Sequence, residues 1–334
     1  MHTVIVGAGA LGSILGGYLA ETGISVTLVG RKPHVDAIRS RGLIIEGLRG
    51  HRTIGNLRAV ADPREVASAD LLILAVKSYD TAEALVGIAH LRGQVGAALS
   101  VQNGGGKDEA LAEALGGDVV IGATSIVGGS MPEPGRVMHT NDGATWIGEL
   151  DGRRSARVEA IAECFRKAEL AVEVREDIRS AIWCKLNQMV PAATLACVTR
   201  LRVHEMYQDR SLATLFVELS REIAAIADRT GISLADYQGF PVKTLCSQPF
   251  DDAVASVMAR GRMMQERGMT QVKISTLQDL ERGRQTEADH VIGYVVRLAA
   301  AHQVPVPKLD VLYRVIQGIE AAQRATASAP ERRM

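Results

Sequence analysis

No charge of one sign dominates this sequence, in which 38 Lys and Arg residues balance 38 Asp and Glu residues over 334 positions. A nucleic-acid or anionic-membrane partner would call for a basic surplus and is not expected. Cysteine is scarce. Cys164, Cys184, Cys197 and Cys246 show neither paired metal-ligand spacing nor the density of a disulfide framework, so they are expected as small buried residues in a reducing compartment. His34, His51, His139, His204, His290 and His302 also lack ligand spacing or an acid–base neighbour, and no metal is expected. Long uncharged apolar runs are missing too. The apolar N-terminus has no basic leading segment and is interrupted by Ser13, Tyr18 and Glu21, which fits neither a signal peptide nor a membrane span. A soluble, cytoplasmic protein is the expectation. There is no internal repeat and no low-complexity linker. At 47% hydrophobic, the length leaves room for two domains with ample cores.

What is present is organised around Thr3 to Leu19. A short buried strand, Val4-Ile5-Val6, runs into Gly7-Ala8-Gly9-Ala10-Leu11-Gly12 and then into a helix of small and apolar residues. The spacing predicts a dinucleotide site: Gly7 for a tight turn, Gly9 for close approach to a pyrophosphate, Gly12 for close packing of helix on strand. A second strand, Ser25 to Val29, follows the Thr22-Gly23 break and supplies the context that a lone glycine pattern lacks. That strand ends in Gly30-Arg31-Lys32, where an Asp or Glu would usually hold a free ribose 2′-hydroxyl. Cations in place of the acid point to a 2′-phosphate at Arg31, and so to NADP(H). The plainer alternative is a solvated pair of loop cations.

Further along, Val35 to Arg41 reads as a short helix and Leu43 to Gly55 as strand material broken by glycines. The continuous apolar run Leu71 to Val76 reads as a central parallel strand that delivers Lys77 at its carboxyl end, where ligands of open sheets bind. Lys77 is therefore a cofactor or substrate candidate, or else a solvent lysine. Ala97 to Val101 repeats the pattern and ends in Gln102-Asn103 and three glycines, either a ligand loop or a simple turn. Val119 to Thr124 and Trp146 to Glu149, the second after a loop from Pro132 to Gly143, suggest an antiparallel extension of the sheet. The fold class expected is α/β, with an N-terminal doubly wound sheet of Rossmann type over residues 1–152 and a C-terminal all-helical domain over 153–320.

Amphipathic helices are predicted at Arg157 to Ala168, Ile178 to Ala196, Leu212 to Thr230, Ala253 to Arg260 and Ala288 to His302. The polar tail, 321–334, is expected to fray. Apolar helix faces of this kind can serve a homodimer or a core equally well. Within the helical half, Lys185 stands in Ile182-Trp183-Cys184-Lys185-Leu186, apolar company in which a lysine either has a partner or snorkels to water.

The ordered set of the glycine loop, Arg31, Ala75-Val76-Lys77, Gln102-Asn103-Gly104, Trp183-x-Lys185-Leu186, Ser275-x-x-x-Asp279 and Arg284-x-Thr286-Glu287 resembles the ketopantoate reductase family, NADP-dependent 2-dehydropantoate 2-reductases and relatives. The resemblance runs from the first strand to about Pro307. It implies that Lys185 protonates the nascent alkoxide as hydride arrives and that Glu287 holds and orients neighbouring groups. It further implies that Asn103 places substrate and nicotinamide, Lys77 lies beside the cofactor, and Ser275 binds the substrate carboxylate. Such roles are chemically coherent, since a 2-oxo acid needs a hydride, a proton for its oxygen and donors for its carboxylate. Continuous helical spacing would put Asp279 within roughly 80° of Glu287, so that both face one cleft. A surface pattern with Arg282 and Arg284 is the plainer account.

Departures from the family pattern are equally informative. Asparagines common four and eight residues after the lysine are here Met189 and Ala193, and one five after the glutamate is Ile292. Asn187 is a stand-in only if the helix is locally distorted. The leading expectation is an NADPH-dependent reductase of a small 2-oxo acid bound between the domains, ketopantoate by default. A more apolar 2-oxo acid is the first alternative, because lost hydrogen-bond partners change substrate choice more than hydride chemistry. Others are a catalytically silent NADP(H) sensor and a 3-hydroxyacid or 6-phosphogluconate type of dehydrogenase.

Overall fold

In the computed structural model, which describes residues 1–328, the chain opens with β1 (His2–Val6), α1 (Ala10–Glu21), β2 (Ser25–Val29), α2 (Lys32–Arg41), β3 (Leu43–Gly47), β4 (Arg52–Ile54) and β5 (Arg58–Val60). It continues with β6 (Ala69–Leu74), α3 (Thr81–Ile88), β7 (Val95–Ser100), α4 (Lys107–Leu115), β8 (Gly122–Ser125), β9 (Gly128–Glu133), β10 (Arg136–Asn141) and β11 (Thr145–Gly148). Five strands form a wholly parallel sheet in the order β5-β2-β1-β6-β7. The strands are near-continuous apolar runs because both faces are covered. Ile5 points into a core shared with α1, and its neighbours Val4 and Val6 point into a second core on the opposite face. After β1 the chain adds strands on one side as far as β5, then returns to place β6 on the other. The carboxyl ends of β1 and β6 thus form the switch point at which open α/β sheets bind ligands.

The small-residue character of α1 has a packing reason. A methyl on Gly16 would meet Leu28 and Ile5 of the parallel sheet at 2.6 and 2.9 Å, and one on Gly17 would meet Ile45 and Ile54 at 2.5 and 3.0 Å. The helix is held between two layers, which is why it is apolar all round rather than on one stripe. Full burial of Ile14, Leu15 and Leu19 stabilises by about 1.5–3 kcal/mol each. The second layer is the sheet β4-β3-β10-β9, and it corrects the sequence expectation. The stretch read as a loop, Pro132 to Gly143, belongs to the β9–β10 hairpin, which turns at Pro134-Gly135 and pairs β10 in parallel with β3. Buried His34 braces this hairpin. The Gly135 N–H donates to Nδ1 at 2.9 Å, so Nε2 carries the proton and donates to Ser13 Oγ at 3.0 Å.

The sheet extension is present as a three-stranded unit in which β8 and β11 are antiparallel, joined to β7 through the Ala98–Val120 bridge. Its third strand follows α5 (Ala156–Lys167) and is β12 (Val172–Val174), parallel to β11. Helix α5 buries Val158, Ile161, Ala162 and Phe165 in the core that holds Ile5, and Arg157 forks both oxygens of buried Glu149 at 2.7 Å. The first compact unit therefore extends to Ile182, beyond the expected end at residue 152.

The second unit, Trp183 onward, takes up the rest of α6 (Ile178–Thr199), followed by α7 (Val203–Gln208) and α8 (Arg210–Arg229). A hairpin of two-residue strands, β13 (Asp236–Tyr237) and β14 (Phe240–Pro241), qualifies the all-helical expectation. Helices α9 (Val242–Ser247), α10 (Phe250–Glu266) and α11 (Ser275–Glu281), a π-helical turn (Asp289–Gly293), α12 (Tyr294–Ala301) and α13 (Pro307–Ser328) complete it. Phe216, Val217, Ile223 and Ile226 of α8 share one core with Val190 and Ala193 of α6 and Val254 of α10. Residues 321–328, expected to fray, continue α13. Glu222 of α8 accepts the N–H groups of Lys308 and Leu309 at 3.0 Å, and Gln323 donates to the Leu280 carbonyl at 2.9 Å. Residues 329–334 lie outside the described residues. Among the described residues no helix is long and apolar enough to cross a membrane.

Candidate active site

The glycine turn after β1 is built as its spacing predicts. The N–H groups of Gly7 and Ala8 both donate to the Val29 carbonyl, at 3.0 and 2.9 Å, which tucks the turn over the end of β2. Gly7 has φ +107°, and a methyl there would lie 2.4 Å from the Val76 nitrogen in the loop after β6. A methyl on Gly12 would lie 2.2 Å from the Gly7 carbonyl oxygen, so the helix can approach the turn only without one. Gly9, the N-cap of α1, differs: a methyl there would meet nothing within 4 Å. Open space over Gly9, no side-chain cap and no acid in the first turn of α1 make a cradle suited to a pyrophosphate. Ala8, Ala10 and Leu11 flank Gly9 in this turn and the first turn of α1.

Arg31 and Lys32 stand beyond β2 as expected, but neither is a free cation. Arg31 Nη2 donates to Asp80 Oδ2 at 3.1 Å, and Lys32 Nζ donates to Asp36 Oδ2 at 2.7 Å. Asp80, at the N-cap of α3, had no signal in the sequence, since only the fold brings its carboxylate to the Arg31 guanidinium.

The Lys77 and Asn103 loops are tied together by buried Gln102. Its amide nitrogen donates to the Val76 carbonyl at 3.0 Å and to Thr81 Oγ1 at 2.7 Å, and its oxygen accepts from Ser100 Oγ at 2.9 Å. Lys77 and Asn103 are half-buried in these loops. Next to them Lys107, buried, donates to the carbonyls of Ser100 and Ala123 at 2.6 and 2.5 Å, clamping β7 to β8. Asp108 keeps Oδ1 sealed from solvent without a hydrogen bond, and burial, opposed by the Lys107 charge, pushes its carboxyl up to about 6. A raised folded-state pKa contributes stability that is complete below the ordinary value near 3.8 and is lost as pH rises through about 6. Asp108→Asn should therefore be more stable than the parent at pH 8, by about 1–2 kcal/mol once the lost attraction to the α4 N-terminus is deducted. Chemical denaturation at pH 8 and pH 4 checks this, the advantage vanishing at the lower pH.

In the helical unit, Lys185 and Met189 are the two residues of 183–190 that are more than marginally exposed, one turn apart on α6. Ala193 and Ile292 are fully buried. Asn187 does not replace the missing asparagines. It is fully buried and its amide donates to the Ser220 carbonyl at 2.8 Å, committing it to the α6–α8 contact. Helical spacing between Asp279 and Glu287 fails as an argument, because α11 ends at Glu281 and Gly283 takes φ +63°. Glu287 instead precedes the π-helical turn, whose Val291 and His290 N–H groups donate to its carbonyl at 2.9 and 3.0 Å. Helix α13 braces the segment through Glu320 to Thr286 and Tyr313 to Asp289. Glu287 is buried, Asp279 half-buried, and Ser275 exposed at the start of α11. Burial pushes the Cys197 thiol up to about 12, so no nucleophile arises there. A depression of about 370 Å³ lined by Asp228, Leu234, Lys243 and Cys246 contains none of the predicted residues.

A parallel sheet with a glycine cradle at its switch point, followed by a helical unit, defines a protein of the dinucleotide-binding class. Comparison with known proteins makes this specific. Residues 3–152 match the ketopantoate reductase PanE/ApbA family and residues 177–320 its C-terminal counterpart. The 2-dehydropantoate 2-reductase of Pyrococcus abyssi is 33% identical over 97% of this chain and 99% of its own. A PanE/ApbA family ketopantoate reductase from Ralstonia eutropha JMP134 has a crystal structure at TM-score 0.82, with 30% identity over 97% of this chain and 100% of its own. A D-mandelate dehydrogenase solved with NADH and anilino(oxo)acetate shares the fold at TM-score 0.84 and 20% identity, covering 97% of this chain and 99% of its own. The chain belongs to the ketopantoate reductase family.

Proposed function

We propose that this protein reduces a 2-oxo acid to the 2-hydroxy acid with NADPH, taking 2-dehydropantoate to pantoate by default, as a soluble cytoplasmic enzyme. The observation that carries this reading is the near full-length likeness to 2-dehydropantoate 2-reductases, which the Trp183-x-Lys185-Leu186 and Arg284-x-Thr286-Glu287 motifs of the sequence support. Gly7, Ala8, Gly9, Ala10, Leu11, Gly12 and Arg31 would hold the cofactor, with Lys77, Asn103 and Glu287 beside it. When bound, NADPH supplies the hydride. Lys185 would give its N–H proton to the carbonyl oxygen, so that with a hydride taken from a cofactor C–H bond the C=O π bond is replaced by one C–H and one O–H bond. Its positive charge also stabilises the developing oxyanion. Ser275 binds the substrate carboxylate, and Asn103 places substrate and nicotinamide.

Met189, Ala193 and Ile292 favour a second reading of the substrate, an apolar 2-oxo acid. A site without amides at these positions gains nothing from a substrate hydroxyl and does not reject an analogue that lacks one. NADPH oxidation across a panel of 2-oxo acids tests both. A clear preference for 2-dehydropantoate upholds the default; activity confined to apolar 2-oxo acids replaces it. NADPH binding with no oxidation by any member of the panel overturns the catalytic reading.

A further inference from the structure

The expectation of NADP(H) rests on the absence of an acid after β2, yet the fold brings an acid from the loop after β6, Asp80 at the N-cap of α3, to the guanidinium of Arg31. Asp80, 49 residues from Arg31 in sequence, accepts from its guanidinium at 3.1 Å. The Arg31 side chain is 85% exposed and that of Asp80 34%, so the pair adds little stability and its partners exchange readily. An incoming ribose 2′-phosphate must compete with Asp80 for Arg31 and is repelled by the Asp80 charge. A free 2′-hydroxyl instead meets a carboxylate acceptor of the kind that NAD sites carry at the end of the second strand. The neighbouring cation offsets this only in part: Lys32 donates to Asp36 at 2.7 Å in a similarly exposed pair, so it is a weakly held charge shared between that carboxylate and the ligand.

We infer that Asp80 is a specificity-determining residue: with Arg31 it reads the ribose 2′ position, and it lets this chain accept NADH alongside NADPH. Arg31 favours the phosphate, Asp80 favours the hydroxyl, and their ion pair is the resting arrangement that either ligand opens. The inference rests on the dinucleotide site proposed above and adds to it a residue outside the glycine motif. It also gives Asp80 a role unrelated to the chemical step, so that binding alone can test it.

Dissociation constants for NADPH and NADH, measured by calorimetry on the parent, Asp80→Asn, Asp80→Ala and Arg31→Ala, decide the matter, with adenosine 2′-phosphate and adenosine as probes of the ribose end. The parent should bind both dinucleotides within about tenfold of each other. Asp80→Asn should tighten NADPH by roughly fivefold and weaken NADH by several-fold, and Arg31→Ala should do the reverse, magnitudes set by exchanging one partly exposed charge pair. Adenosine 2′-phosphate should follow NADPH. If both Asp80 variants leave the NADH-to-NADPH ratio within twofold of the parent while the parent binds NADPH, Asp80 has no such role and the dinucleotide site stands. If the parent binds neither dinucleotide, the proposed function and this inference fall together.

Discussion

Replacing Lys185 with alanine is expected to lower kcat by about 10²–10⁴-fold while changing the NADPH dissociation constant by less than about threefold. The expectation comes from where the residue stands. In the segment 183–190 of α6 only Lys185 and Met189 are more than marginally exposed, one turn apart, so this face of the helix presents one ammonium beside an apolar side chain. A charge held in that setting does little for stability and much for a carbonyl oxygen on its way to an alkoxide. Lys185→Arg separates the two contributions. It keeps the charge but holds its proton too tightly to donate it, so turnover should recover only in part. Single-turnover hydride transfer followed against pH supplies the measurement, and an unchanged rate in Lys185→Ala would remove the residue from the mechanism.

The second large effect is a contrast between neighbouring glycines. Gly12→Ala puts a methyl 2.2 Å from the Gly7 carbonyl oxygen, backbone against backbone, and should cost about 1–3 kcal/mol of stability through displacement of α1. Gly9→Ala meets no atom of the chain within 4 Å and should cost less than about 1 kcal/mol, the usual loss for alanine at an N-cap. Its methyl nevertheless occupies the open side of the cradle, so dinucleotide affinity should fall by more than about tenfold, the equivalent of about 1.4 kcal/mol of lost contact. Thermal melting paired with NADPH titration reads both. Gly9→Ala binding NADPH as tightly as the parent would show that the ligand does not approach there.

The candidate site was legible to different depths in different places. Gly7 and Gly12 could be read directly because each is required by a local constraint, a turn and a close packing, while Gly9 is left with open space above it. The β9–β10 hairpin could not: β9 is mostly exposed, the buried positions of β10 are a valine and a histidine rather than an apolar alternation, and the place of β10 beside β3 is set by pairing with a distant strand. The helical-spacing argument for Asp279 and Glu287 failed for the same reason. Helical spacing was carried across Gly283, where the chain in fact turns and α13 holds the following segment.

Sequence alone determined the order of elements from β1 to β2, the glycine cradle, the buried central strands and the placement of Lys185 in an apolar helix. These depend on periodicity and on what single residue types allow over a few positions. Tertiary structure decided that α1 lies between two sheets, that the first unit runs to Ile182, that Asn187 belongs to packing, and that Asp80 meets Arg31. Each of these is a contact between residues far apart in the chain, whose free energy exists only once the intervening elements have folded and which leaves no trace in local pattern.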